Sequence, residues 1–176
     1  MNFLSEMREL LPKIVADGSS LDEAIYETLV ITREAKRLLF IGNGGSAAIA
    51  SHMAIDWTKN AEVPAMCFND AAALTAIGND IGFNSVFAVQ IGCHYADGDV
   101  LFAISSSGQS QDIIAAVNLA TKGPIITFSG FASDNPLRRK GTINFYVPSN
   151  DYGLVECSHL ILNHAILNAA IGLRSV

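Results

Sequence analysis

The fold of this chain is decided by the stretch Leu38-Leu39-Phe40-Ile41-Gly42-Asn43-Gly44-Gly45-Ser46. An apolar run of strand length ends at a Gly-Asn-Gly-Gly turn, and an Ala-rich segment follows from Ser46, so we predict a strand, a tight loop and a helix. Glycines let the backbone approach a ligand closely, and a helix N-terminus offers free N–H groups to an anion. The spacing matches neither the dinucleotide-binding motif nor the P-loop. The stretch is therefore either an anion-binding loop or an ordinary strand-to-helix turn.

Four more apolar runs are predicted as strands, and helical segments separate them. These runs cover residues 63–68, 100–104, 123–128 and 143–147. Strands that alternate with helices indicate the α/β class, here a doubly wound, mostly parallel five-stranded sheet flanked by helices. Ligands of such sheets bind beyond the carboxyl ends of the strands. The glycine loop is predicted to lie at that edge, and the terminal helix is predicted over about 154–173.

Residues 1–36 are predicted as two helices that break near Gly18, and residues 37–176 as the main part of a single domain. Ser20 and Glu23 have the spacing of a capping box, which predicts the start of the second helix. Apolar residues recur at helical spacing in both segments. Such helices either cover the chain's own sheet or form a helical bundle with other subunits, and the pattern is consistent with both.

The composition limits the possible partners. Half of the 176 residues are hydrophobic and only 16% are charged, which indicates that other subunits cover part of the surface. The net charge of −6 argues against general binding to nucleic acid or anionic membranes. Cys67, Cys93 and Cys157 form no C-x-x-C pair, which predicts buried, small hydrophobic side chains in a reducing cytoplasm rather than disulfides or a zinc site. We expect neither a signal peptide nor a membrane-spanning segment.

A second polar loop follows the predicted strand 100–104. Six of the seven residues from Ser105 to Gln111 carry hydroxyl or amide side chains, and hydroxyls together with backbone N–H groups can surround a phosphate. The alternative is that the serines cap the next helix and fill a turn. Four hydroxyls in one turn exceed what capping requires, which favours the phosphate.

A third polar segment lies between these two loops. Asp70 is predicted to cap a short helix, and the loop that follows over 78–84 is polar and flanked by glycines.

Two helices carry candidate metal ligands. His52 and Asp56 are four residues apart, so they share one helix face and can bind one ion. Imidazole with carboxylate suits zinc. Glu156 and His164 stand eight residues apart, about 12 Å along a continuous helix, too far for one ion unless Glu156 precedes the regular helix. The alternative is that these groups are hydrogen-bonded partners at a helix–helix contact.

The other histidines have separate interpretations. His159 and Asn163 are four residues apart on the terminal helix and are a competing pair for a ligand. His94 is predicted at the exposed end of a helix over 85–94.

Three motifs together resemble a known family. GNGGS after the first strand, GND-x-GFN in the middle of the chain and ISSSGQS after the third strand are similar to the sugar isomerase (SIS) domain, and within it to the phosphoheptose isomerases. The resemblance covers about residues 37–176. It implies conversion of sedoheptulose 7-phosphate to D-glycero-D-manno-heptose 7-phosphate by enediol acid–base chemistry, the first step of nucleotide-heptose synthesis for bacterial lipopolysaccharide or capsule. It also implies a cytoplasmic homotetramer with sites between subunits and one zinc ion per subunit.

The resemblance also implies roles for individual residues. Asp56 matches the proposed base, and His164 matches the proposed acid. The implied zinc ligands are His52, Asp56, Glu156 and His164. The implied substrate-binding residues are Asn43, Gly44, Gly45, Asn79, Asp80, Ser105, Ser106, Ser107, Ser110 and Glu156. Four positions depart from the family pattern. Asp56 stands where the family has Glu, and Glu156 where it has Gln. Ser106 stands where the family often has Thr, and Asn60 where it tends to have a basic residue near the substrate.

A competing hypothesis is a non-catalytic SIS-domain protein. Some SIS domains bind a phosphosugar or a protein partner such as a replication initiator without catalysing a reaction. A binding module needs no proton-transfer pair, whereas this chain has His52, Asp56, Glu156 and His164 together, which favours an enzyme.

Overall fold

One sheet of six strands runs through residues 2–172, which are the residues that the computed structural model describes. The strands are β1 (Val15–Ala16), β2 (Arg37–Gly42), β3 (Ala65–Cys67), β4 (Asp99–Ser105), β5 (Ile125–Gly130) and β6 (Ile143–Val147). Their order is β1-β6-β5-β4-β2-β3, and every neighbouring pair except β1 and β6 is parallel. The predicted α/β class with a mostly parallel sheet is confirmed.

The predicted number of five strands is wrong. The additional strand is β1, whose two residues pair antiparallel with β6 at Val15–Tyr146 and Ala16–Phe145. Two residues are too few to show the alternation that identifies a strand in a sequence. This strand therefore depends on the distant β6 rather than on its own pattern.

Seven α-helices lie in the described part of the chain. They are α1 (Phe3–Leu10), α2 (Leu21–Glu34), α3 (Gly45–Asn60), α4 (Ala71–Asp80), α5 (Val86–His94), α6 (Gln111–Leu119) and α7 (Tyr152–Gly172). The predicted capping box starts α2, because Glu23 N–H donates to Ser20 Oγ at 3.3 Å and Ser20 N–H donates to Glu23 Oε2 at 2.9 Å. Asp70 caps α4 as predicted, and accepts from the N–H groups of Ala72 and Ala73.

The sheet has a hydrophobic core on each face. Side chains alternate along β2, so that Leu38 and Phe40 join one cluster while Leu39 and Ile41 join the other. Helices α1, α2, α3 and α7 contribute to the first cluster, and α5 and α6 to the second. Because both faces are covered, the strands read as continuous apolar runs rather than alternating ones.

The two amino-terminal helices pack on their own chain. Both α1 and α2 contact α7, and α2 buries Ala24, Thr28 and Leu29 against the core. Both helices therefore join the core of their own chain, and their part in a helical bundle with other subunits stays a prediction. The opposite side of α2 leaves Tyr26 and Val30 exposed.

Helix α7 is long and apolar enough to cross a membrane by length and composition alone. Half of its most apolar window is buried inside the protein, and Val155, Leu162 and Ile166 belong to the core beside the sheet. This burial is typical of the core helix of a soluble domain. The predicted last residue of the helix, Leu173, lies outside the described residues.

The order of the strands reverses between β2 and β4. The chain passes from β2 outward to β3, and then returns to place β4 on the other side of β2. The loops after β2 and β4 therefore leave neighbouring strand ends in opposite directions, and a crevice opens between them. Gly42 and Ile104 are register partners at this point, so the glycine loop and the serine loop begin side by side.

Candidate active site

A polar pocket of about 230 Å³ lies at this crevice. It is formed by the loop after β2, the loop after β4 and the first turns of α7. Its lining residues are Asn43, Gly44, Gly45, Ser46, Ser105, Ser106, Ser107, Ser110, Tyr152 and Glu156. The pocket thus brings together the two loops that the sequence marks as ligand-binding.

The glycine loop needs its glycines for two different reasons. Gly44 has φ +53° and ψ −121°, a backbone conformation in which side chains are strained. A Cβ on Gly45 would collide with the carboxylate of Glu156. Gly45 therefore allows α7 to bring an acidic side chain against the first turn of α3.

The serine hydroxyls form hydrogen bonds within their own loop. Ser105 Oγ and Ser110 Oγ lie 3.0 Å apart, and Gln109 N–H donates to Ser107 Oγ at 3.2 Å. Ser110 precedes α6, but its side chain makes no capping hydrogen bond to that helix. The hydroxyl of Ser110 therefore does not cap α6, and the serine hydroxyls that line the pocket are available to a ligand.

No lysine or arginine lines this pocket, since its lining residues are all uncharged except Glu156. Positive potential comes instead from the N-termini of α3 and α6, which start at the two loops. The N-terminus of α3 has no side-chain cap, so its first N–H groups are free for an anion. The pocket is suited to a phosphate group held by N–H and O–H donors.

Farther along α3 and α7 is a cluster of His52, Asp56 and His164. Each residue offers one ligand atom, and the three atoms lie within 4.8 Å of one another. His52 Nε2 is 3.4 Å from Asp56 Oδ2, and the His52 and His164 rings pack edge to face with centroids 5.3 Å apart. The His52 side chain is 49% exposed and that of Asp56 is 15% exposed, so solvent reaches the cluster from one side.

This donor set fits a zinc ion. Catalytic zinc sites use three protein ligands of the histidine and carboxylate type and leave a fourth position open. Two imidazoles and one carboxylate are present, and small side-chain rotations bring atoms within 4.8 Å of one another to the shorter spacing around one ion. The three residues would hold the ion between α3 and α7.

Several candidate residues lie apart from the cluster or the pocket. Glu156 is within the continuous helix α7, two turns before His164, and lines the pocket rather than joining the cluster. Helix α4 extends through Asn79 and Asp80, so the prediction of a loop there is wrong. Both residues are exposed, and neither lines the pocket of its own chain.

The buried pair His159 and Asn163 lies in the core. His159 Nε2 is 3.2 Å from the Ser129 carbonyl oxygen, and Asn163 Nδ2 donates to the His159 carbonyl at 2.9 Å. Burial lowers the pKa of His159 to about 4, so this ring is neutral near pH 7. His94 is exposed at the end of α5, as predicted, and stacks on Phe68.

The prediction of buried cysteines is wrong. Cys93 on α5 and Cys157 on α7 are exposed, and Cys67 on β3 is partly buried. Cys93 and Cys157 lie on the helix sides that face away from the sheet, which the sequence position alone does not reveal.

Two pocket residues were not among the predicted site residues. Ser46 follows the glycine loop directly, and its place in the GNGGS motif is a signal that could have identified it. Tyr152 begins α7 at the rim of the pocket. Nothing in the local sequence distinguishes this tyrosine, because only the packing of α7 against the sheet brings it there.

Comparison with known proteins identifies the family. A sequence model described as the SIS domain matches residues 2–128. The phosphoheptose isomerase of Bradyrhizobium sp. (strain ORS 278) is 38% identical over 176 aligned residues, which cover 94% of this chain and 88% of that protein. The chain belongs to the SIS domain family, among the phosphoheptose isomerases. The resemblance stated from the three motifs is thereby confirmed.

Solved structures of the phosphoheptose isomerases agree with the fold. The enzyme from Neisseria gonorrhoeae superposes with a TM-score of 0.83 at 30% identity, and the match covers 95% of this chain and 94% of that one. The enzyme from Francisella tularensis gives a TM-score of 0.82 at 25% identity, with 97% and 95% covered. The sheet order and the helix layers described above are therefore those of the phosphoheptose isomerases.

Proposed function

We propose that this chain is an aldose–ketose isomerase that converts sedoheptulose 7-phosphate to D-glycero-D-manno-heptose 7-phosphate. One observation carries the proposal: the pocket lies where α3 and α7 begin, and the His52–Asp56–His164 cluster lies farther along the same two helices. Relatives of 38% and 30% identity bear the name phosphoheptose isomerase. A binding module would use the pocket but would have no need of the cluster.

The spacing of the two regions suits an extended sugar phosphate. Gly45 and His52 are seven residues apart on α3, about 10 Å of helix rise, and Glu156 and His164 are about 12 Å apart on α7. The substrate carries its phosphate on C7, whereas the reacting carbons C1 and C2 lie at the other end of the chain. A phosphate in the serine pocket would thus direct C1 and C2 toward the cluster.

Proton transfer is assigned to the cluster. In the direction from ketose to aldose, Asp56 removes a proton from C1 while His164 gives a proton to the carbonyl oxygen on C2, and an enediol forms. A proton is then returned to C2, and the hydroxyl on C1 loses its proton to become the aldehyde. The carboxylate and the imidazole lie within 4.8 Å of each other, so both can reach adjacent carbon and oxygen atoms.

A zinc ion held by His52, Asp56 and His164 would supply Lewis-acid stabilisation of negative charge on the substrate oxygens. The protein groups nearest the other end of the substrate stabilise charge by hydrogen bonding. Ser105, Ser107 and Ser110 line the pocket where the phosphate would lie.

Asp56 stands where the family has glutamate, and this difference affects the expected rate of proton transfer. Its side chain is one methylene shorter than the glutamate of the family pattern, and a misplacement of about 1 Å can cost ~10²-fold in rate. Asp56 lies within 3.4 Å of His52, so the shorter side chain still reaches the neighbouring imidazole. We propose that Asp56 keeps the role of base.

The enzyme is proposed to act in the cytoplasm as a homotetramer, in heptose synthesis for surface polysaccharide. Exposed apolar residues flank the cluster, since Ile55 is 57% exposed on α3 and Ile161 is 45% exposed on α7. Large exposed apolar side chains beside a functional cluster are consistent with a protein–protein contact. A neighbouring subunit would cover them and close the half-exposed side of His52.

The function is tested by incubating the purified protein with sedoheptulose 7-phosphate, with and without added zinc, and following the sugar by NMR. We expect aldose signals to appear and to increase with zinc. The competing hypothesis of a non-catalytic SIS-domain protein requires bound but unconverted substrate in the same tube. Persistence of the ketose at saturating protein would overturn the proposal.

A further inference from the structure

The carboxylate of Asp112 is buried beside the pocket without lining it. Asp112 is the second residue of α6 and is only 3% exposed. Its Oδ2 accepts a hydrogen bond of 2.7 Å from Asn43 Nδ2, on the other side of the crevice. Burial of a carboxylate costs folding free energy unless the group is hydrogen-bonded. Asn43 provides such a hydrogen bond to Asp112, and Asn43 also lines the pocket.

The contact decides which end of the Asn43 amide faces the pocket. A carboxylate accepts hydrogen bonds only, whereas a side-chain amide has a donor end and an acceptor end. Asn43 must therefore turn its NH2 group toward Asp112. The amide oxygen, the acceptor end of Asn43, then points away from Asp112 and is free to accept from a ligand, and Asn43 is one of the lining residues of the pocket.

We propose that Asp112 is a positioning residue that fixes the orientation of Asn43, so that Asn43 accepts a hydrogen bond from a hydroxyl group of the sugar phosphate. The inference rests on the proposed function, because it places a polyhydroxylated substrate in the pocket. Asp112 acts through Asn43 and does not touch the substrate. The hydrogen bond between Asn43 and Asp112 also connects the glycine loop to α6, next to the paired ends of β2 and β4.

The consequence is selectivity for a hydroxyl donor at this position. A ligand that presents a carbonyl or phosphate oxygen to the amide oxygen of Asn43 would leave two acceptors facing each other. Sites built to hydrogen-bond a particular group reject analogues that lack it, since a buried polar atom is then left unpaired.

The test is a double-mutant cycle of Asp112→Asn and Asn43→Ala. An asparagine at position 112 keeps the shape but offers both a donor and an acceptor, so Asn43 is free to rotate. We expect Asp112→Asn to raise KM on the order of tenfold with kcat nearly unchanged, the size expected for a hydrogen bond to a charged group. In the Asn43→Ala background the same change should alter KM by less than about twofold.

A matched control is Asp22→Asn. Asp22 is also the second residue of its helix, α2, but it is exposed. Loss of the favourable interaction with the helix dipole is common to both variants. They differ in burial and in the contact with Asn43, and the Asn43→Ala background separates these two differences. If Asp112→Asn raises KM by the same factor in the Asn43→Ala background, Asp112 has a structural role that does not depend on Asn43. That result would overturn the inference.

Two further measurements separate this inference from the proposed function. If the wild-type chain binds sedoheptulose 7-phosphate without converting it, dissociation constants from calorimetry replace KM in the same cycle. Hydrogen exchange of the Asn43 side-chain NH2 group is measured by NMR on the wild-type protein. It therefore requires no catalytic turnover and does not depend on whether a variant folds. Slow exchange supports the contact, and exchange as fast as at the exposed Asn150 contradicts it.

Discussion

The serine pocket and the His52–Asp56–His164 cluster are built in opposite ways. The pocket is made at strand ends from backbone N–H groups, hydroxyls and one amide, and Glu156 is its charged lining residue. The cluster is made from titratable side chains on the faces of two helices. One region presents many neutral donors, whereas the other presents a few groups that exchange protons or bind a metal.

In the proposed mechanism this difference separates binding from chemistry within one substrate length. Neutral donors at helix N-termini can hold a phosphate without a lysine or arginine. Proton transfer needs groups whose charge changes, and the titratable cluster lies along α3 and α7 away from the serine pocket. Changes in the pocket should therefore alter affinity, and changes in the cluster should alter turnover.

The largest expected effect is that of His164→Gln on turnover. Glutamine keeps hydrogen-bonding capacity but cannot transfer a proton, so kcat should fall by roughly 10³-fold, within the range of general acid–base catalysis. The dissociation constant for sedoheptulose 7-phosphate should change only a few-fold, because the pocket is untouched. NMR assays and calorimetry measure the two quantities. His94→Gln, at an exposed histidine, is the control, and full activity of His164→Gln would remove this residue from the mechanism.

A second prediction concerns His159, which lies on α7 between Glu156 and His164 but belongs to neither region. Its pKa is lowered to about 4 by burial, below the unfolded value near 6.5. The unfolded chain thus binds one more proton between these pH values. This contribution to stability is fully present above about pH 6.5 and is lost as the pH falls toward 4, on the order of 3 kcal/mol in total.

His159→Gln should therefore make the free energy of unfolding less steeply dependent on pH between about 4 and 6.5. Urea unfolding at several pH values gives the slope, and the slope is informative even if the variant is less stable overall. The exposed His94→Gln variant should keep the wild-type slope. Identical slopes for His159→Gln and the wild type would show that His159 is not a buried neutral histidine.

The third prediction tests the pocket. Ser107→Ala combined with Ser110→Ala removes two hydroxyls, so the dissociation constant for sedoheptulose 7-phosphate should rise on the order of 10- to 100-fold, since hydrogen bonds to charged groups contribute most. At saturating substrate kcat should stay close to the wild-type value. Ser133→Ala, at an exposed serine outside the pocket, is the control. Unchanged affinity in the double variant would exclude the serine loop as the phosphate site.

The smallest effect is expected for Glu156→Gln. The carboxylate shares the pocket with the phosphate, and removal of like-charge repulsion between partly solvated groups should tighten sugar-phosphate binding by roughly three- to fivefold. The gain should shrink as salt is added, because salt screens the repulsion. Glu34→Gln on the exposed end of α2 is the matched control. Weaker binding in Glu156→Gln would mean that the carboxylate contacts the sugar or a cation rather than opposing the phosphate.

Local pattern was sufficient for the long elements and for both loops. The runs at 38–41 and 100–104 are apolar throughout because their strands are buried on both faces, and Ser20 with Glu23 marked the start of α2. Local pattern failed at Asn79 and Asp80, where Gly78 and two polar residues indicated a loop. Helix α4 continues through them, which shows tertiary context overriding propensity.

By itself, the sequence determined the α/β class, the positions of the glycine loop and the serine loop after their strands, and the family, because these depend on short-range spacing of glycines, serines and apolar runs. Only the tertiary structure decided that Glu156 lies in the pocket rather than in the cluster, that β1 joins the sheet, and that Asp112 contacts Asn43 from 69 residues away. The physical reason is that such contacts depend on strand order and on how helices pack across the sheet. No local pattern in a chain encodes which distant side chains will meet.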